Sequence, residues 1–188
     1  MAKLPIYNSF HPILKQKTDR VEKITDDIKQ LVTDMFETMY DTKRGVGLAA
    51  NQVGKNLSIV VIDVREVKGL EDTAPMVLIN PIIKKYSEEK EFCEEGCLSI
   101  PVLYEEVERS SEITIEYTDI NGTIITREAS GFLARVMQHE VDHLNGITFY
   151  DRLSAFRKSL AKNKMKRLKK GEYEVDYDMV DADGSKHE

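Results

Sequence analysis

The sequence predicts an α+β fold: a mainly antiparallel β-sheet packed around a central helix, with an N-terminal helix before it and a C-terminal helix after it. Two patterns predict this. Apolar residues recur at helical spacing in separate stretches, and between the first two of these lie short apolar or alternating runs of strand length. Size is the third observation. The chain has 188 residues, 41% hydrophobic and 32% charged, enough for one domain with a real core and too apolar for a largely disordered chain.

The first 20 residues read as irregular, because Pro5 and Pro12 limit helix. From Asp26 to Tyr40, residues Ile28, Leu31, Val32, Met35, Phe36, Met39 and Tyr40 form one apolar helical stripe, which Thr25 can cap. A glycine-containing loop, Gly45 to Gln52, comes next. Leu57–Asp63, Met76–Ile83 and Lys84–Phe92 read as strands. Glu112 to Tyr117 alternates polar and apolar, and Asn121-Gly122 supplies a tight turn into Thr123–Arg127. Ser130 can cap a second helix running to about Leu144, with Gly146 as its stop; a third covers Ser154–Lys170 and ends at Gly171. The acidic tail starts with an alternating stretch, Tyr173 to Tyr177, that reads as an edge strand, and its last residues are expected to be disordered. The expected organisation is one domain over 1–171 and a tail over 172–188.

No stretch approaches the roughly 20 apolar residues that span a bilayer, and the first residues lack the apolar core of a signal peptide, so no membrane contact is expected. Two cysteines, Cys93 and Cys97, cannot build a disulfide framework. A reducing, cytoplasmic setting fits them. The net charge of −6 argues against a whole-protein nucleic-acid footprint, and no DNA partner is expected. The charge is uneven, however. Arg157 to Lys170 holds eight basic residues and no acidic one, which leaves about −14 on the rest. Such a segment points to a local contact.

The sharpest local signal is Gln138-His139-Glu140-Val141-Asp142-His143. Histidines at i and i+4 lie on one face of a helix, where both rings can converge on one metal ion. Glu140, beside the first histidine, can reach a metal-bound water. Asp142 points elsewhere. Phe132 and Val136 share the histidine face, which is otherwise apolar. A catalytic metal usually has three protein ligands and one open position. One zinc-protease pattern would put its third histidine where this chain has Phe149. Cys97, after Gly96 and shortly before Pro101, is the better third ligand. If Cys93 joined it, the site would instead be closed and structural. In the Gly45–Gln52 loop there is no phosphate-binding P-loop pattern, but Gln52 offers an amide donor for an oxyanion.

Taken together, Gly45-Val46-Gly47-Leu48-Ala49-Ala50-Asn51-Gln52, Glu95-Gly96-Cys97-Leu98-Ser99 and Gln138-His139-Glu140-Val141-Asp142-His143-Leu144 resemble the peptide deformylase family in order and spacing. The resemblance runs from about Ile6 to Leu153. It implies a metal-dependent hydrolase that removes the formyl group from the N-terminal formylmethionine of newly made polypeptides. It implies one divalent ion held by Cys97, His139 and His143 with water in the fourth position. In that family the ion is commonly Fe²⁺, with Zn²⁺, Ni²⁺ or Co²⁺ as replacements. Glu140 is then the general base and acid, while Gln52 and the Leu98 backbone N–H stabilise the oxyanion. Gly47 resembles the backbone that pairs with an extended substrate, and Val46, Phe132 and Val136 are candidates for the methionine pocket. Arg109 is assigned to local support. The basic segment 157–170 is a candidate ribosome contact.

Overall fold

The computed structural model describes residues 3–187. A two-residue strand, β1 (Ile6–Tyr7), and a 3-10 turn at Pro12–Lys15 occupy the stretch expected to be irregular. Helix α1, Asp26–Asp41, starts where predicted, with the Thr25 hydroxyl accepting the Ile28 N–H at 3.4 Å. Its stripe buries Val32, Met35 and Met39, each contributing about 1.5–3 kcal/mol. Tyr40, at the edge of the stripe, is exposed and donates its hydroxyl to Asp63 at 2.7 Å.

Five strands form one antiparallel sheet: β2 (Gly47–Ala49), β3 (Ile59–Ile62), β4 (Met76–Tyr86), β7 (Glu112–Thr118) and β8 (Ile124–Ser130), in the order β2-β3-β4-β7-β8. All of β3 is buried. Val60 and Ile62 join the core beneath the central helix, whereas Ile59 and Val61 join the core containing α1. Coverage on both faces is why this run is apolar throughout rather than alternating.

Two strand boundaries differ from expectation. Lys84–Phe92 is not one strand, because β4 continues to Tyr86 and β5 spans Lys90–Cys97. Ser87 holds the intervening turn, donating to the Glu89 carbonyl and accepting the Glu112 N–H. The partner of β5 is β6, Ile100–Ser110, an antiparallel strand without a counterpart in the sequence reading. Ile100, Leu103, Val107 and Arg109 are its buried residues, while Glu105, Glu106 and Glu108 obscure the pattern.

Helix α2, Gly131–Leu144, touches β2, β3, β4, β6, β7 and β8 and so occupies the middle of the molecule. Ser130 stands at its N-cap but makes no side-chain cap bond; Gly131 instead donates its N–H to the Ser111 carbonyl. At the other end Gly146 has φ of +73°, and a Cβ there would lie 2.8 Å from the Lys15 carbonyl carbon. Only glycine both turns the chain and clears that backbone. One turn of helix, α3 (Phe149–Arg152), leads to α4, Ala155–Lys169, which lies within one residue of the expected span at each end and is capped by Ser154. The tail departs from prediction. Its strand is β9, Met179–Val180, parallel to β1, and not Tyr173 to Tyr177. Fully buried Met179 sets this register by packing in the core that also holds Ile6. Near its end, expected to be disordered, His187 donates its N–H to the Met179 carbonyl at 2.9 Å; Glu188 lies outside the described residues. Among the described residues no helix is long and apolar enough to cross a membrane.

Candidate metal centre and active site

One turn apart on α2, His139 and His143 bring their Nε2 atoms to 3.2 Å. Cys97 Sγ, from the end of β5, lies 3.2 Å from His143 Nε2. These three donors all lie within 4.8 Å of one another and are the one such group of potential metal ligands among the described residues. Cys93 is exposed and four residues back along an extended strand, roughly 13 Å away by strand rise, so a closed two-cysteine site does not form. Phe149 packs its ring against His139 with centroids 6.2 Å apart.

The donor set fits a divalent cation. His139 Nδ1 is 2.9 Å from Glu95 Oε2, which leaves Nε2 for the centre, the usual orientation of a metal-binding histidine. Burial lowers both imidazoles, but hydrogen bonds to Cys97 and Glu95 hold His139 up at about 10. His143 is driven well below the ordinary histidine value by burial and by neighbouring His139.

Behind the ligands lies a buried ionic network. Arg109 forks onto Glu95, with Nε 2.6 Å from Oε1 and Nη2 2.9 Å from Oε2, and its Nη1 reaches Asp142 Oδ2 at 2.7 Å. Arg135 adds a donor to Glu95 at 2.8 Å, and Arg152 clamps Asp142 at 2.5 and 3.0 Å. Burial alone would raise the Glu95 carboxyl, but hydrogen bonds from His139 and Arg109 hold it well below the usual range. Glu95 is therefore an anion that fixes the ring of His139. Asp142, on another face of α2 from the histidines, ties that helix to β6.

Glu140 is buried, and its Oε2 has no hydrogen-bond partner among the described residues. Desolvation pushes its carboxyl up to about 7. A Cβ at Gly47 would lie 2.5 Å from Glu140 Oε1, so glycine is what lets β2 pass this carboxyl. Gln52 accepts the Ala49 N–H through Oε1 at 2.9 Å, which fixes its amide. Its Nε2 then points to Cys97 Sγ at 3.5 Å and Ser99 Oγ at 3.2 Å. Leu98 and Ser99 form the tip of the β5–β6 hairpin, where Cys97 pairs with Ile100. Val46, Gly47, Gln52, Cys97, Leu98, Phe132, Val136, His139 and Glu140 all line one cleft of about 200 Å³, and His143 is fully buried beside them.

A family model described as polypeptide deformylase matches residues 3–159. The chain belongs to the polypeptide deformylase family. A peptide deformylase of Psychrobacter arcticus is 44% identical over 170 residues, covering 90% of each chain. Among solved structures, a peptide deformylase of Synechococcus elongatus in complex with actinonin is 40% identical, with a TM-score of 0.78 over 88% of each chain. One from Legionella pneumophila is 37% identical, with a TM-score of 0.80 over 90% of this chain and 96% of that one.

Within this deformylase site, sequence reasoning overlooked Glu95, Arg135 and Tyr177. Strand alternation from Cys97 would have placed Glu95 on the ligand's side of β5. For Tyr177, which also lines the cleft, no local pattern exists.

Proposed function

We propose that deformylation by this chain, the removal of the N-formyl group from the N-terminal formylmethionine of newly made polypeptides, runs on Cys97, His139 and His143 as ligands of one divalent ion. The observation that carries this reading is the convergence of those three donors beside the unpartnered carboxyl oxygen of Glu140. Fe²⁺ is the expected resident, and Zn²⁺, Ni²⁺ or Co²⁺ suit the same donors. When bound, such an ion supplies the Lewis acidity that makes hydroxide available near neutral pH.

The chain's own groups divide the remaining work. Glu140 accepts a proton as the formyl carbon is attacked and delivers it to the amine as the C–N bond breaks, leaving formate and a free N-terminus. Gln52 Nε2 and the Leu98 N–H donate to the oxyanion. Gly47 offers backbone at the sheet edge to an extended substrate, and Val46, Phe132 and Val136 receive the methionine side chain. Anaerobic purification followed by metal analysis and a formyl-Met-peptide assay on the same sample tests the reading. One divalent ion per chain and turnover proportional to occupancy are expected. Full turnover by metal-free protein would overturn it.

The proposed compartment is the cytoplasm, and the proposed partner of the basic helix is the ribosome. On α4, Lys162, Lys164, Lys166 and Arg167 are exposed and make no ion pair among the described residues, whereas Arg157 is held by Glu105 and Glu106. Reversing those four charges should weaken ribosome pelleting at fixed salt and spare turnover of a short formyl peptide. Unchanged pelleting would remove the ribosome from this reading.

A further inference from the structure

The tail beyond Gly171 reaches back to the reaction centre. Tyr177 lines the cleft together with Cys97, Leu98 and Glu140, and its hydroxyl donates to the Leu98 carbonyl at 2.7 Å. Neighbouring Asp176 lies 3.7 Å from Arg44 on the same rim. Tyr177 is not a loose side chain on a free end. The segment around it is knotted together by Tyr173, Asp181 and His187. The Tyr173 hydroxyl donates to Asp181 at 2.7 Å, and His187 lies 2.9 Å from Asp181 and 3.0 Å from the Tyr173 carbonyl. The rings of Tyr173 and His187 stack at 4.0 Å, 2° from parallel.

The β1–β9 ladder gives this arrangement its purpose. Two residues after β1, the Ser9 N–H donates to the Ser99 carbonyl at 3.0 Å. Two residues before β9, Tyr177 holds the Leu98 carbonyl. Gln52 meets the Ser99 hydroxyl. The hairpin tip is thus tethered from three directions, and two of the tethers flank a single pair of strands. Both residues of the tip, Leu98 and Ser99, have their carbonyls taken; Tyr177 thereby fixes the Leu98–Ser99 peptide plane, the direct neighbour of the Cys97–Leu98 plane that carries the Leu98 N–H, and limits how Leu98 can turn between the two.

We propose that Tyr177 is a positioning residue for deformylation, its hydroxyl holding Leu98 so that the Leu98 N–H stays aimed at the developing oxyanion. This rests on the oxyanion role assigned above to Leu98 and Gln52. A donor of that kind is worth about 10²–10³ in kcat, and misaligning it without removing it forfeits part of that.

The test measures Tyr177→Phe, Tyr177→Leu and Gln52→Glu side by side on a formyl-Met peptide, with metal content and melting temperature for each. Tyr177→Phe keeps the ring and loses only the hydroxyl. Its kcat should fall about tenfold with KM within about twofold, at full metal occupancy. Tyr177→Leu should share that kcat and add a rise in KM, because the ring walls the cleft. Gln52→Glu keeps the acceptor for the Ala49 N–H and loses the amide donor, so its kcat should fall further. Wild-type kcat in Tyr177→Phe beside a crippled Gln52→Glu overturns the role of Tyr177 alone. Wild-type kcat in Gln52→Glu overturns the oxyanion assignment beneath it. A Tyr177→Phe enzyme whose lost activity tracks lost metal or a lower melting temperature shows a structural tether and overturns positioning.

Discussion

Glu140→Gln should keep its metal and lose about 10²–10⁴-fold in kcat. Glutamine has the size and shape of the native side chain, so it fits against Gly47 where a larger group would collide. It can still donate and accept hydrogen bonds. What it cannot do is take a proton from a nucleophile and return it to an amine. The ligands are untouched, because Glu140 is not among the three converging donors. Its network contacts are also few, since Oε2 is buried without a partner. Metal analysis and turnover on one preparation therefore separate the two roles. Native kcat in this variant would remove Glu140 from the proton path, and a missing ion would make it a structural support of the centre.

Arg109→Leu should lower stability by about 3–5 kcal/mol, the cost of leaving buried carboxylates without their partner. For a chain of this length that is a fall in Tm on the order of 10 °C. Arg109 is 5% exposed and is shared by Glu95 and Asp142, so one substitution takes a partner from two buried anions. Arg135 and Arg152 each retain one of them, which keeps the loss inside that range. A second effect is expected at the centre. With Glu95 less constrained, the ring of His139 loses its orienting partner, and metal affinity should drop about 10–100-fold. Arg109→Lys should fall between, since an ammonium cannot fork onto one carboxylate while reaching another. Thermal melts and chelator competition measure both effects. A Leu variant within 1 kcal/mol of the parent would show that the network is not what holds β5, β6 and α2 together.

Features written within one element were legible from the sequence. The stripe of α1, the extent of α2 and the two histidines one turn apart are local periodicities, and they sit where the pattern puts them. Features that arise between elements were not. Nothing near Arg109 announces that it faces Glu95 on the adjacent strand and Asp142 on a helix. Strand β6 was hidden because Glu106 and Glu108 stand on its outward face while Glu105 and Arg109 interrupt the aliphatics of the other. The tail misled for a similar reason. The regular alternation of Tyr173 to Tyr177 suits a strand, yet the pairing went to Met179–Val180, where a buried methionine meets Ile6.

Strand β2 is the outermost member of its sheet and is only three residues long. Three residues measure about 10 Å. On the proposed substrate pairing, a guest chain laid along that border is gripped over its first few residues only. Main-chain pairing of this sort is blind to side-chain identity, so under that proposal selection falls to the pocket proposed for the methionine side chain. A short border is what a processor of many different messages requires.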